Sequence, residues 1–387
     1  MIGWRARVSF VLGAVAFIAT APARAEWPTE GGDQGEVVKV VSLEDSGPGT
    51  LRDAIDRDPA RRSVFAVAGE IVLRTPLVIR HPNITIAGDT APTPGITLLG
   101  DKLRIRTHDV IVRDIRFRVG ELPGPNLSNR DGISIETGKD PGPVGNVLID
   151  RCSVAWAVDE TIAIWGQVNE VLIRRTIIAE GLSHSVHQKG EHSMGLLVGA
   201  SARDIVIEQN LFADNMFRNP VIDAGATAVV VNNLIYNPGW SGFHVYAKPK
   251  YGPTIASVVG NVLVAGPDTR DRVNSFPKGV NPGSEFFYSD NRAVGTTAFT
   301  TTEPVSLKNP AMFVKEPPIW FDWINVLPAD QVEATVLAGV GARPQDRDET
   351  DRRLIAEVTS RTGSIKDTPV DPRLRVPRPL PDQGAAQ

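Results

Sequence analysis

The 387-residue chain is 42% hydrophobic and 22% charged, the balance of a folded protein with a sizeable core in one elongated β unit or two domains. Its formal net charge of −4 excludes a globally basic nucleic-acid or membrane-surface binder, so attraction for a polyanion has to be local. One cysteine, Cys152, excludes an intrachain disulfide, and its apolar strand makes it a buried small residue; 35 glycines and 30 prolines mean many turns.

Residues 1–25 carry a targeting pattern. Arg5 and Arg7 precede the apolar run FVLGAVAFIAT, and Ala23-Arg24-Ala25 has the small residues of a cleavage site. The run is shorter than the roughly 20 residues that span a bilayer, so the expectation is a secreted or periplasmic monomer without a membrane anchor. After it, EVVKVVSL reads as a strand and SGPG as a turn. Thr50 is then the N-cap of a short helix, Leu51 to Asp56, with Asp53 in the capping-box position. A helix that is apolar on one side at Leu51, Ala54 and Ile55 suits the open end of a solenoid core.

From Asn83 the chain repeats itself: NITIAGDTAPTPGITLLG, DVIVRDIRFRVGE, NVLIDRCSVAWA, EVLIRRTIIAEG, DIVIEQNLFADN, AVVVNNLIYNPG, ASVVGNVLVAGP and FFYSDNRAVG. Each unit has alternating β-formers, a polar or small bend residue and a second apolar run. The bends at Cys152, Thr176, Asn210, Asn233, Asn261 and Asn291 lie 23 to 34 positions apart, the spacing of solenoid coils with loops inserted on one edge. Four successive asparagines predict a stacked ladder, since that side chain tolerates left-handed backbone and can bond its copy one coil away. The expected fold is all-β, a right-handed parallel β-helix. The expected organisation is a catalytic β-helix over 26–305, a C-terminal extension over 306–370 with two helices packed on it, and a Pro-rich tail over 371–387.

Acids, a lysine and an arginine recur along one phase of the repeat between Asp131 and Asp223. Asp131, Asp159 and Glu160 offer the hard oxygen ligands that calcium takes. Asp131 and Asp159 start strands on adjacent coils, and like charges at strand spacing repel unless a cation intervenes. Asp150, beside Arg151, is equally an ion-pair or turn residue. Lys189 sits in the non-repetitive HSVHQKGEHSMG with His184, His187 and His192. With no cysteine beside them, contact of His187 and His192 with substrate is a better reading than zinc, and His187 is an alternative proton acceptor. Arg218 follows IVIEQNLFADNM, and its bland reading is an ion pair with Asp214 or Asp223. Trp165 and His244 are further groove candidates; Trp156, Trp240, Phe243 and Tyr246 fall in or near coil edges, where packing competes with sugar stacking.

These residues resemble the pectate lyases, secreted calcium-dependent polysaccharide lyases built on a parallel β-helix. VVSLEDSGPGTLRDAI is similar to their N-terminal strand and cap, RDGISI and VLIDRCSVAWAVDE to their calcium-binding strands, and FRNP to the segment with their catalytic arginine. GARPQDRDETDRRLIAEVTSRTG is similar to a C-terminal ending of one bacterial branch. The resemblance implies β-elimination on an acidic polysaccharide, pectate or another (1→4)-linked polyuronate. It implies Ca2+ at Asp131 and Asp159, Arg218 removing the C5 proton and Lys189 stabilising substrate charge. Two positions depart from the family pattern: Ala163 stands for an acid and Asp223 for a second arginine. A polygalacturonase-type hydrolase needs acids set for water attack, and no NTD-, DD- or GHG-like cluster is present. A non-catalytic β-helical binding protein is the other rival; it predicts that Arg218 and Lys189 are dispensable.

Overall fold

The computed structural model describes residues 29–125, 127–138, 142–270, 280–295 and 312–376. The targeting segment, the boundary at residue 305 and the tail beyond residue 376 lie outside the described residues.

Every paired strand is parallel, and the strands stack into three sheets of ten, nine and seven. Each complete coil visits the ten-stranded sheet (Glu36–Val40 to Glu285–Ser289), then the nine-stranded one (Gly69–Val72 to Arg292–Val294), then the seven-stranded one (Leu77–Ile79 to His244–Val245). This is the parallel β-helix expected from the repeats. Inward positions repeat in register: Val110, Val147, Val171, Ile205, Ala228, Ala256 and Phe286 follow one another down the ten-stranded sheet and are all buried. Helix α1 (Leu51–Ile55) closes the N-terminal end. Thr50 Oγ1 accepts from the Asp53 backbone N–H at 3.2 Å, while Asp53 Oδ2 accepts from Gly49 N–H at 3.1 Å.

The asparagine ladder forms at the bend between the ten- and nine-stranded sheets. Asn210 Nδ2 donates to Asn233 Oδ1 at 3.0 Å, and the steps Asn233 to Asn261 and Asn261 to Asn291 are each 2.9 Å. A residue in the left-handed region precedes each rung, Gln209 at φ +52° and Asn232 at φ +52° among them. Thr176 and then Cys152 continue the column with backbone N–H donors. Cys152 is buried in the core, and burial pushes its thiol pKa up.

Two of the three outer faces are covered. Helices α2 (Ala329–Gly339) and α3 (Glu349–Ser360) lay Val332, Val336, Leu354 and Val358 on the nine-stranded sheet at Ile177, Leu211, Leu234 and Val262. Phe321 and Ile324 cover Leu148, Leu172 and Val206 on the ten-stranded sheet. No such layer lies on the seven-stranded sheet among the described residues, and its outward positions run Arg104, Ser134, Ala163, Leu197, Val221 and His244. The groove described next lies on this face.

Candidate active site

The acids gather where successive coils enter the seven-stranded sheet. Asp131 precedes Ile133–Glu136, Asp159 and Glu160 open Glu160–Trp165, and Arg218 precedes Val221–Ile222. Asp131, Asp159 and Glu160 each place a carboxylate oxygen within 4.8 Å of the other two. The strand register corrects one detail. Ile133 pairs with Ile162, so the residue opposite Asp131 is Glu160, while Asp159 donates its backbone N–H to Arg130 O at 3.1 Å. Arg218 enters two coils beyond Glu160, its carbonyl accepting from Leu196 N–H on the intervening coil at 2.7 Å. A Cβ on Gly195 would come within 2.4 Å of that carbonyl, so the close passage depends on glycine.

Asp131 is almost fully buried. Its Oδ2 accepts from the Lys102 ammonium at 2.7 Å and from the Ser134 hydroxyl; its Oδ1 is buried with no hydrogen-bond partner. Burial raises the Asp131 pKa, with Lys102 opposing and Asp159 adding to the rise. Glu160 is raised well above the usual carboxylate range, by burial first and then by Asp131 and Asp159. Its one cationic partner among the described residues is Arg218, whose Nη1 donates to Oε1. Arg218 therefore pairs with Glu160; Asp214 bonds Asn237 and Asp223 bonds Lys248. Burial pushes Asp159 up as well, but the His192 hydrogen bond and charge outweigh it and the net shift is down.

His187 and His192 stack with ring centroids 3.5 Å apart and both turn Nε2 to Asp159 Oδ1, at 3.7 and 2.7 Å. His187 Nδ1 accepts from the Lys189 backbone N–H at 3.1 Å, so its proton sits on Nε2, facing the acid. His187 Nε2 stands 3.7 Å from Asp159 Oδ1, beyond hydrogen-bond length, and Asp159, His187 and His192 converge closely enough to hold a metal ion. Both imidazoles are buried. Lys189 is exposed on the rim of the groove, its ammonium without a partner among the described residues. The groove, about 340 Å³, is lined by Asp131, Asp159, Glu160, Lys189, Arg218 and Trp165 among others, and the Trp165 ring is 49% exposed. His244 lies on the same face, near Arg218 but outside the groove lining: it is buried beside Ser241, Phe217 and Trp240, and burial drops its pKa to about 3. Asp150 is held by Arg151, Arg174 and Arg175 at a bend, and Trp156 is buried with Nε1 donating to Glu180 at 2.8 Å.

No protein-family model matches the chain. Curated relatives do. A protein of Aspergillus flavus named a probable pectate lyase C is 35% identical over 335 residues, covering 85% of this chain and 74% of that one. The chain belongs to the pectate lyase family. Its counterpart in Aspergillus terreus is 36% identical over 259 residues, covering 67% of this chain and 55% of that one. The chain thus spans from about half to three quarters of the length of these relatives. Among solved structures, the major allergen of cedar pollen aligns with a TM-score of 0.57 at 17% identity, over 81% of this chain and 90% of that one. A pectate lyase of Bacillus sp. N165, solved with trigalacturonate, aligns with a TM-score of 0.54 at 14% identity, over 81% and 95%. These two support the β-helix itself. As a member of the pectate lyase family the chain is a polysaccharide lyase.

The acids fit a hard, oxygen-seeking cation. Three carboxylates converge, and Asp131 Oδ1 is buried with no hydrogen-bond partner. Sequence reading missed Lys102 and Lys248. Lys102 lies 29 residues before Asp131 with no motif around it; only the coil register brings the two together.

Proposed function

We propose that the chain is an exported lyase that cleaves a (1→4)-linked polyuronate, pectate foremost, by calcium-assisted β-elimination. The observation that carries the reading is the convergence of Asp131, Asp159 and Glu160 in one groove with Arg218 and Lys189 at its edge. Asp131, Asp159 and Glu160 would hold the calcium ion. When bound, it supplies Lewis-acid withdrawal of charge from a uronate carboxylate, which acidifies the neighbouring C5–H.

Lys189, whose ammonium has no partner among the described residues, binds and balances charge on the sugar acid. Lys102 and the His187–His192 pair hold Asp131 and Asp159 in place from beneath and beside the groove. Arg218 is the proton acceptor. A guanidinium has to lose its own proton first, so the reaction favours alkaline solution. Arg218 takes the C5 proton, the electron pair forms the C4=C5 double bond, and the C4–O bond breaks. The new end is an unsaturated uronate that absorbs in the ultraviolet. The targeting pattern in residues 1–25 supports export.

The test is an ultraviolet assay on polygalacturonate and alginate, with calcium and then with chelator, for wild type, Arg218→Ala and Lys189→Ala. Calcium-dependent product on polygalacturonate that disappears in Arg218→Ala is the expected result. Reducing ends without ultraviolet product would mean a hydrolase and overturn the reading.

A further inference from the structure

At the far end of strand Glu160–Trp165, the Trp165 ring lies across the next coil. Gly199 is what lets it do so: a Cβ there would meet Trp165 Cε3 at 3.0 Å. Beyond Gly199 comes Asp223, whose carboxylate is fully buried. One of its oxygens accepts from Ala224 N–H at 2.8 Å and the other from the Lys248 ammonium. Lys248 Nζ stands 5.9 Å from the centre of the Trp165 ring. The Lys248 backbone is pinned as well, donating to Asn281 Oδ1 at 3.1 Å and accepting from Asn281 Nδ2 at 2.8 Å. A half-exposed indole and a partly exposed ammonium are thus held side by side by three buried or space-making residues.

We propose that Trp165 and Lys248 form a uronate subsite, the indole taking the C–H face of a sugar ring and the Lys248 ammonium taking that sugar's carboxylate. The proposal rests on the lyase reading above and adds a specificity determinant to it. An indole alone accepts any sugar with an apolar face. The ammonium beside it selects an anion, and a charge-assisted hydrogen bond rewards a free carboxylate over its neutral ester. Asp223 and Asn281 are positioning residues. Trp165 stands five strand residues from Glu160, about 16 Å along the strand. A sugar bound there is not the one losing its proton, so the subsite contributes equally to ground state and transition state and acts on KM.

Removing Lys248 alone would leave Asp223 buried without its cation, a structural fault in its own right. The informative variant is therefore the double change Asp223→Asn with Lys248→Met, which removes both charges, with its melting temperature recorded. On polygalacturonate its KM should rise about tenfold with kcat retained, the loss of one charge-assisted hydrogen bond. Its preference for polygalacturonate over methyl-esterified pectin should shrink by the same factor. Trp165→Ala should raise KM on both substrates. A folded double variant with wild-type KM and wild-type preference would overturn the proposal, leaving Lys248 as a counter-ion. Should wild type release no unsaturated product from any uronan, the lyase reading fails, and the subsite is then judged by titrating galacturonate trisaccharide against tryptophan fluorescence. Quenching that Trp165→Ala abolishes supports the subsite, and no quenching in wild type overturns it.

Discussion

Two acidic triplets in this molecule look alike by distance and differ in everything else. Glu180, Asp214 and Glu357 bring carboxylate oxygens within 4.8 Å of one another, as Asp131, Asp159 and Glu160 do. The first triplet lies under α3. Arg353 bonds both oxygens of Glu180 at 2.8 Å and Glu357 at 2.8 Å, and Lys366 stands 3.6 Å from Glu180. The second triplet opens to a groove, and two cations at that groove, Arg218 and Lys189, are within reach of a ligand. Convergent acids mark a charge problem; where its solution comes from decides whether the place is structural or chemical. Under α3 the protein solves it internally. In the groove the answer is left partly to solution.

That contrast is sharpest in the effect of removing one arginine from each triplet. Arg218→Ala should lower kcat about a thousandfold, the scale of losing a general base, and Glu160, whose carboxyl is already raised, should take up a proton in place of its lost partner and so limit the cost in unfolding free energy. Arg353→Ala should do the reverse. Glu180 is fully buried, so deleting its bidentate partner should cost about 3 kcal/mol in urea unfolding while kcat of the folded enzyme stays at the wild-type value. Activity loss in Arg353→Ala at a temperature where it is fully folded would erase the distinction.

A second separation comes from pH. Burial raises the Asp214 carboxyl to about 7, with Glu180 and Glu357 adding to the rise and Asn237 opposing it. The folded state therefore holds a proton that the unfolded chain releases near 3.8, and stability from this group falls as pH rises from about 4 to about 7. Asp214→Asn removes the titration. Against wild type it should gain about 4 kcal/mol at pH 8 and almost nothing at pH 4, read from urea curves at the two values. A gain of equal size at both would mean that packing, not the proton, is responsible.

How much of this was legible in the chain depends on whether a residue's role is set by its own repeat or by its neighbour's. Asn210, Asn233, Asn261 and Asn291 could be read because each bonds its own equivalent one coil on, so the repeat announces the contact. The N-cap at Thr50 could be read because its partner is three residues away. Asp131, Asp159, Glu160 and Arg218 stood out as charges at strand starts and are brought together. The pairs that tune them did not. Lys102 and Asp131 are 29 residues apart and Asp223 and Lys248 are 25, across coils whose lengths vary, so no fixed spacing links them. The histidines needed the fold for a related reason. The chain folds the loop of His187 and His192 back over Asp159, where His192 bonds that acid and lines the groove. His244, placed by sequence near the groove, belongs to an aromatic packing cluster.

Lys102 leads to the smallest and most diagnostic effect. Its ammonium already neutralises one oxygen of Asp131, and a divalent cation reaching the other oxygen would be repelled by it. Replacing Lys102 with Met leaves a side chain of similar length to fill the space and takes the ammonium away from Oδ2, which keeps its Ser134 hydroxyl. Calcium affinity measured by titration calorimetry should then tighten, by about threefold to tenfold, since the screened repulsion of one nearby charge is on the order of 1 kcal/mol. Protonation competes in the same place. Asp131 and Glu160 are both raised, so binding has to displace protons, and calcium affinity in wild type should strengthen as pH rises through the range where Glu160 ionises. Binding measured in two buffers of different ionisation enthalpy counts those protons directly. In Lys102→Met the count should rise, because Asp131 without its cation holds its own proton more tightly. A variant that binds calcium more weakly, with fewer protons released, would mean that Lys102 serves to shape Asp131 for the metal and not to compete with it.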